Sequence, residues 1–185
     1  PDDIELSCAG TLLKEIAAGK KAGVLDLTQG ELGTRGSAPL RLEEAAASAK
    51  ILGLICRENL GLADGFFENN KEHIVQIARI LRKYRPDIVL SNAVTDRHPD
   101  HGRASKLISD ACFYSGLRRI ETEWEGEAQE AWRPKAVYNY IQDRYLKPDF
   151  VIDVSPFVEQ KMKSIKAFRS QFYNPESNEP ESPLT

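Results

Sequence analysis

Residues 87–114 read DIVLSNAVTDRHPDHGRASKLISDACFY, and this stretch decides the fold class. Its first six residues form a short apolar run directly after Arg85-Pro86, a pair that ends a helix, so residues 87–92 are expected to be a buried strand. Residues 102–114 return to helical periodicity, which leaves Asp96–His101 in a strand-to-helix loop. The same alternation extends outward on both sides. Upstream, residues 71–84 place Ile74, Ile77, Ala78 and Leu81 on one helical face, and residues 40–54 fit another helix. Residues 22–27 (AGVLDL) fit a strand, and residues 4–19 fit a helix that Pro1, Asp2 and Asp3 start and Gly19 closes. Downstream, residues 136–141 and 150–154 fit strands, the acidic stretch 121–130 a solvated loop, and 156–172 a helix carrying Val158, Met162, Ile165 and Phe168. Strands alternating with helices imply an α/β domain around a mostly parallel sheet.

Composition narrows the function classes. The chain has 185 residues, 25 Lys plus Arg against 28 Asp plus Glu, a net charge of −3 and 41% hydrophobic residues, the profile of one globular domain spanning 1–185. A chain of this size buries roughly 70% of its unfolded surface, so any metal ligands are expected to serve function rather than folding. Basic and acidic residues are interspersed, without the basic stripe that nucleic acid requires. No apolar run approaches the roughly 18 residues of a membrane span, and no signal-peptide pattern opens the chain. Cys8, Cys56 and Cys112 are widely spaced and form no CxxC pair, which fits free thiols and a cytoplasmic protein. The only methionine is Met162, and residues 174–185 are largely Pro, Glu, Ser and Asn, so both ends are expected to be cut from a longer chain.

In parallel α/β sheets, ligands bind beyond the carboxyl ends of the strands. Three places meet that rule: Pro1-Asp2-Asp3, the GxxGxxG loop of Gly30, Gly33 and Gly36, and Asp96–His101. The glycine loop lacks the GxGxxG pattern of a dinucleotide site. His98 and His101 are two of only three histidines, and His73 reads as a surface residue. The spacing of His98 and His101 leaves two readings open, an ordinary polar loop or a pair of imidazoles at a metal. Asp2 and Asp3 likewise read as helix N-terminal acids, worth about 0.3–1 kcal/mol each against the macrodipole, or as a metal ligand beside a base. A catalytic metal with an open position lowers the pKa of bound water from about 15.7 to about 7, so a neighbouring carboxylate can take its proton.

Five segments carry a family resemblance: PDDIE (1–5), LTQGELGTRG (27–36), RENLGLADGFF (57–67), DRHPDHGRAS (96–105) and YIQDRYLKPDFVIDV (140–154). In this order they closely resemble the LmbE-like N-acetylglucosaminyl deacetylases, above all the branch that deacetylates N-acetylglucosaminyl-malate in bacillithiol biosynthesis. The resemblance implies a Rossmann-like three-layer sandwich whose first strand lies upstream of Pro1, and a zinc-dependent hydrolase acting on a small N-acetylated sugar. It implies Asp3 and His101 as zinc ligands, Asp2 as general base, His98 beside the developing oxyanion and Asp100 as the partner of a histidine. The family pattern is His-Pro-Asp-Asp, and its histidine would immediately precede Pro1. By the same resemblance Arg41 and Asp64 contact sugar hydroxyls, where the residues alone also fit a surface arginine and a turn aspartate. A homo-oligomer is implied as well. Deacetylation of other amino sugars such as chitin fragments, or metal-dependent carbohydrate binding without turnover, are the other readings these residues allow.

Overall fold

The computed structural model describes residues 1–172 together with 178 and 180, so most of the polar stretch 174–185 lies outside the described residues. The chain divides into two compact units, Pro1–Gly65 with the chain from Lys147 onward, and Phe66–Leu146.

The first unit begins with two short helices, α1 (Asp3–Ser7) and α2 (Ala9–Ala17), where one helix was expected over 4–19. The break falls at Cys8, whose φ of −120° and ψ of 5° leave the helical region. Then follow β1 (Gly23–Thr28), α3 (Ala38–Leu52) and β2 (Cys56–Leu62). Strands β1 and β2 pair in parallel, with Val24 opposite Arg57 and Asp26 opposite Asn59. Helix α3 starts where Ser37 accepts from the Leu40 N–H and stops at Gly53, whose φ of 73° suits a residue without a Cβ. Buried Ala9, Leu13 and Leu52 form a core against which Ile4, Leu54 and Phe157 pack.

The second unit contains α4 (Lys71–Tyr84), β3 (Ile88–Ser91) and α5 (Pro99–Tyr114), followed by β4 (Glu123–Trp124), β5 (Glu127–Ala128) and β6 (Ala136–Asn139). Helix α4 matches the range its apolar stripe predicts, and Ile77, Ala78 and Leu81 of that stripe are buried. It packs on α5, whose Ala104, Leu107, Ala111 and Cys112 are buried in turn. Strands β3 and β6 pair in parallel. The buried Arg82 guanidinium donates to the carbonyls of Ser115, Leu117 and Ile120 and to Thr122 Oγ1, fixing the chain after α5. The acidic stretch 121–130, expected as a loop, holds the β4–β5 hairpin instead; Glu125 and Gly126 both take positive φ, as a two-residue turn between twisted strands requires.

Chain order returns to the first unit with α6 (Val158–Lys166), preceded by a 3-10 turn at Ser155–Phe157. Residues 150–154, expected as a strand, form no ladder among the described residues, and Val151 is 82% exposed. β-Propensity describes fit to a paired, half-buried surface, so an apolar run without a paired neighbour stays irregular. The α/β class and the mostly parallel pairing agree with the sequence-based expectation.

Candidate active site

The first unit holds Asp2, Asp3, Arg41 and Asp64. Asp2 caps α1 with a φ of 83°, a left-handed conformation that among non-glycine residues Asp and Asn tolerate best. Asp3 opens the helix and is half-buried. The buried Arg41 guanidinium reaches across from the first turns of α3: Nη2 donates to Asp2 Oδ2 and to the Pro1 carbonyl, both at 3.0 Å, and Nη1 donates to the Gly30 carbonyl at 3.2 Å. Burial pushes the Asp2 carboxyl up to about 7, with Asp3 and Glu5 adding to the rise and Arg41 opposing it.

Asp64 latches the glycine loop. Its carboxylate accepts from Thr28 Oγ1 at 3.3 Å and from the Leu32 N–H at 3.1 Å, while its own N–H donates to Glu31 Oε1 at 2.8 Å. Arg41 and Asp64, matched by resemblance to sugar contacts, thus hold the start of the same loop at two points, Gly30 and Leu32.

Two residues after Asp3, Glu5 begins a buried charge network that the sequence reading missed. Glu5, fully buried on α1, accepts from Ser48 Oγ at 2.5 Å and from Arg57 Nη1 at 2.6 Å. Arg57 also donates through Nε and Nη2 to Asp26, at 2.7 and 3.0 Å. Burial works against the Arg57 charge, and the two carboxylates more than offset it. The signal was the polar run Arg57-Glu58-Asn59 in β2: Arg57 reaches Asp26, and Asn59 Nδ2 donates to the Thr28 carbonyl at 2.8 Å.

The second unit holds His98, Asp100 and His101 at the start of α5. His98 is the N-cap, and its Nδ1 accepts from the Asp100 N–H at 3.2 Å. The proton of the neutral ring therefore sits on Nε2, making that nitrogen a donor. The buried Asp100 meets His98 through its backbone, and its carboxylate pairs with Arg103. His101 is bonded in the opposite sense. Its Nδ1 lies 2.5 Å from Asp96 Oδ2, and a carboxylate accepts only, so Nδ1 carries the proton, which in the neutral ring leaves the lone pair on Nε2. The two rings stand 5.3 Å apart.

Asp96 is another residue that the sequence reading left without a role, although it opens the DRHPDH run. Its side chain is fully buried. Burial works against its charge, but bonds from His101 and from the N–H groups of Arg144, Arg97 and Asp143 hold the carboxyl below its usual range. Among the described residues no three His, Cys, Asp or Glu side chains form a ready metal cluster. The donor chemistry nevertheless fits zinc: a carboxylate-oriented imidazole with its lone pair on Nε2 is the arrangement that metal-ligating histidines use.

Comparison with known proteins gives the family. The family model described as PIG-L, GlcNAc-PI de-N-acetylase, matches residues 1–112. Diacetylchitobiose deacetylase of Thermococcus kodakarensis is 30% identical over 182 residues, covering 93% of this chain and 67% of the relative. A conserved protein of Thermus thermophilus superposes with a TM-score of 0.86 at 39% identity, covering 93% of this chain and 76% of the other. N,N'-diacetylchitobiose deacetylase from Pyrococcus horikoshii gives a TM-score of 0.82 at 26% identity, covering 94% and 68% respectively. The chain belongs to the PIG-L family of GlcNAc-PI de-N-acetylase-like proteins.

Proposed function

We propose that this protein is a zinc-dependent deacetylase that hydrolyses the N-acetyl group of an N-acetylglucosaminyl conjugate. The observation that carries the reading is the contrasting bonding of two neighbouring rings, His98 Nδ1 accepting from the Asp100 N–H and His101 Nδ1 facing the Asp96 carboxylate, which leaves one neutral ring with an N–H and the other with a lone pair on Nε2. Hydrolysis of an unactivated amide needs a donor for the oxyanion, a base for water and an acid for the leaving amine.

Asp3 and His101 are the residues here that would hold zinc. Bound zinc supplies Lewis acidity and lowers the pKa of a water molecule to about 7. Asp2, kept in place by Arg41, takes the proton from the attacking water. His98 donates its Nε2–H to the oxyanion of the tetrahedral intermediate, and Asp100 holds that ring through its own N–H. Asp2 then returns the proton to the departing sugar amine, leaving acetate and a free glucosamine unit. No bond to the protein forms. Arg41 and Asp64 set the glycine loop against which the sugar docks.

The motif resemblance supports N-acetylglucosaminyl-L-malate as substrate, whereas the two archaeal relatives support N,N'-diacetylchitobiose, a chitin fragment. Acetate release from both compounds, with and without a chelator, tests the reaction and ranks the two. Asp2→Asn is expected to lower turnover at least about 100-fold, the scale of a positioned base, while zinc binding persists. Turnover that survives both chelation and Asp2→Asn would overturn the mechanism.

A further inference from the structure

We propose that Asp96 is a positioning residue that fixes the tautomer of His101, and that Gln142 marks where its lone pair points. The proposal rests on the reading of His101 as a metal ligand and concerns what prepares that ligand.

Two independent sets of hydrogen bonds agree on the tautomer. On one side of the ring, Asp96 Oδ2 faces Nδ1 at 2.5 Å. On the other, Gln142 Nε2 lies 3.4 Å from His101 Nε2. The Gln142 amide cannot be turned round, because its Oε1 already accepts from the Ala93 N–H and from Asn92 Nδ2, both at 3.2 Å. Its NH2 group therefore faces His101, and an NH2 group requires an acceptor. Nε2 must supply the lone pair, and Nδ1 must carry the proton that Asp96 receives. Gln142 occupies the direction from which a metal would approach, so its amide has to swing aside when His101 takes up zinc.

Asp96 is itself fixed by the main chain: its Oδ1 accepts from the Arg144 N–H at 2.9 Å. This gives the isosteric variant an unusual outcome. In Asp96→Asn the amide oxygen stays on the Arg144 N–H, whose bond at 2.9 Å is much shorter than that from the Asp143 N–H to Oδ2 at 3.5 Å, and the NH2 group then falls against His101 Nδ1. Two donors cannot face each other across so short a contact, so the ring proton moves to Nε2, and the longer contact from Gln142, at 3.4 Å, is the one given up. A histidine protonated there has no lone pair for a metal, as when an Asp→Asn change imposes the wrong tautomer on a catalytic histidine. A merely structural Asp96 would predict the reverse, with Asn, which keeps the shape and the backbone bond, far milder than Ala.

The test uses metal-free, 15N-labelled full chain and long-range 15N–1H correlation spectra, which show which imidazole nitrogen is protonated. Wild type is expected to show His101 protonated on Nδ1 and His98 on Nε2. Asp96→Asn is expected to move the His101 proton to Nε2 while His98 stays unchanged, an internal control that the start of α5 is intact. Zinc affinity, measured by competition with a chromophoric chelator, is expected to fall about 10- to 100-fold in Asp96→Asn, at least as far as in Asp96→Ala. His101 protonated on Nε2 in wild type overturns the proposal even if the variants fail to fold, as does native zinc affinity in a folded Asp96→Asn protein. Wild type that takes up no zinc would defeat the metal reading, whereas the tautomer shift in Asp96→Asn would still support the positioning role.

Discussion

Arg41 Nη2 lies 3.0 Å from Asp2 Oδ2, with both side chains at most 10% exposed. One guanidinium thereby ties the proposed base to its own backbone at Pro1 and to the glycine loop at Gly30. Arg41→Ala removes the partner of a buried carboxylate, a change that costs about 3 kcal/mol in comparable pairs. Urea unfolding is expected to show a loss of that order. Arg41→Lys is expected to recover little, because a single ammonium cannot span three acceptors in a planar fork. Wild-type stability in Arg41→Ala would show that the guanidinium contributes nothing of this kind.

Gly30 and Arg41 are expected to be energetically coupled. Gly30 has a φ of 70°, and a Cβ built there would lie 2.1 Å from Arg41 Nη1. Gly30→Ala should both strain the loop and expel the guanidinium, so its effect overlaps with that of Arg41→Ala. A double-mutant cycle on unfolding free energies is expected to give a non-additive term of about 0.5–3 kcal/mol, the double variant being less damaged than the sum of the singles. Strict additivity would mean that the contact does not restrain Arg41.

The Glu5–Arg57–Asp26 network predicts that Arg57→Met is more harmful than its similar volume implies. Met retains packing against Phe168, over whose ring the guanidinium lies at 5.7 Å, but leaves two buried carboxylates without their cation. The expected cost is about 3–5 kcal/mol, read from thermal or urea unfolding. A variant within about 1 kcal/mol of wild type would place the network among buried ion pairs that hydrophobic side chains can replace.

Cysteine reactivity provides a test by pH. Burial raises the Cys8 thiol to about 12 and the Cys112 thiol to about 11, so both stay protonated at pH 8 in the folded protein. Iodoacetamide labelling read by mass spectrometry is expected to leave these two residues unmodified until the chain is unfolded. Rapid native labelling of Cys8 at pH 8 would contradict its burial beside Glu5.

Legibility of the fold followed the source of each element's stability. Helix α4 was readable to the residue because its stability comes from one apolar stripe, while α3 and β1 were placed within two residues, at 40–54 against Ala38–Leu52 and at 22–27 against Gly23–Thr28. β2 was missed because Arg57 and Asn59 stand where a strand reader expects Val or Ile, and their partners, Asp26 and the Thr28 carbonyl, lie about 30 residues away in sequence. Residues 150–154 failed for the complementary reason: the apolar pattern was present, but pairing depends on a neighbour. At the candidate site, Asp2, Asp3, His98 and His101 were candidates by their places next to helix starts, and the motif resemblance supplied their proposed roles. Asp96 and Gln142 did not, since their relation to His101 exists only after residues 92–101 and 142–144 have been brought together.

The backbone of Asp2 has a practical consequence. At a φ of 83° most side chains are disfavoured, and asparagine is among the few that fit. The substitution that removes the proposed base is therefore also the one that the local conformation accepts most readily. Asp2→Asn offers a folded and stalled protein able to retain an uncleaved sugar conjugate through purification, so the natural substrate can be recovered from cell extract and identified by mass.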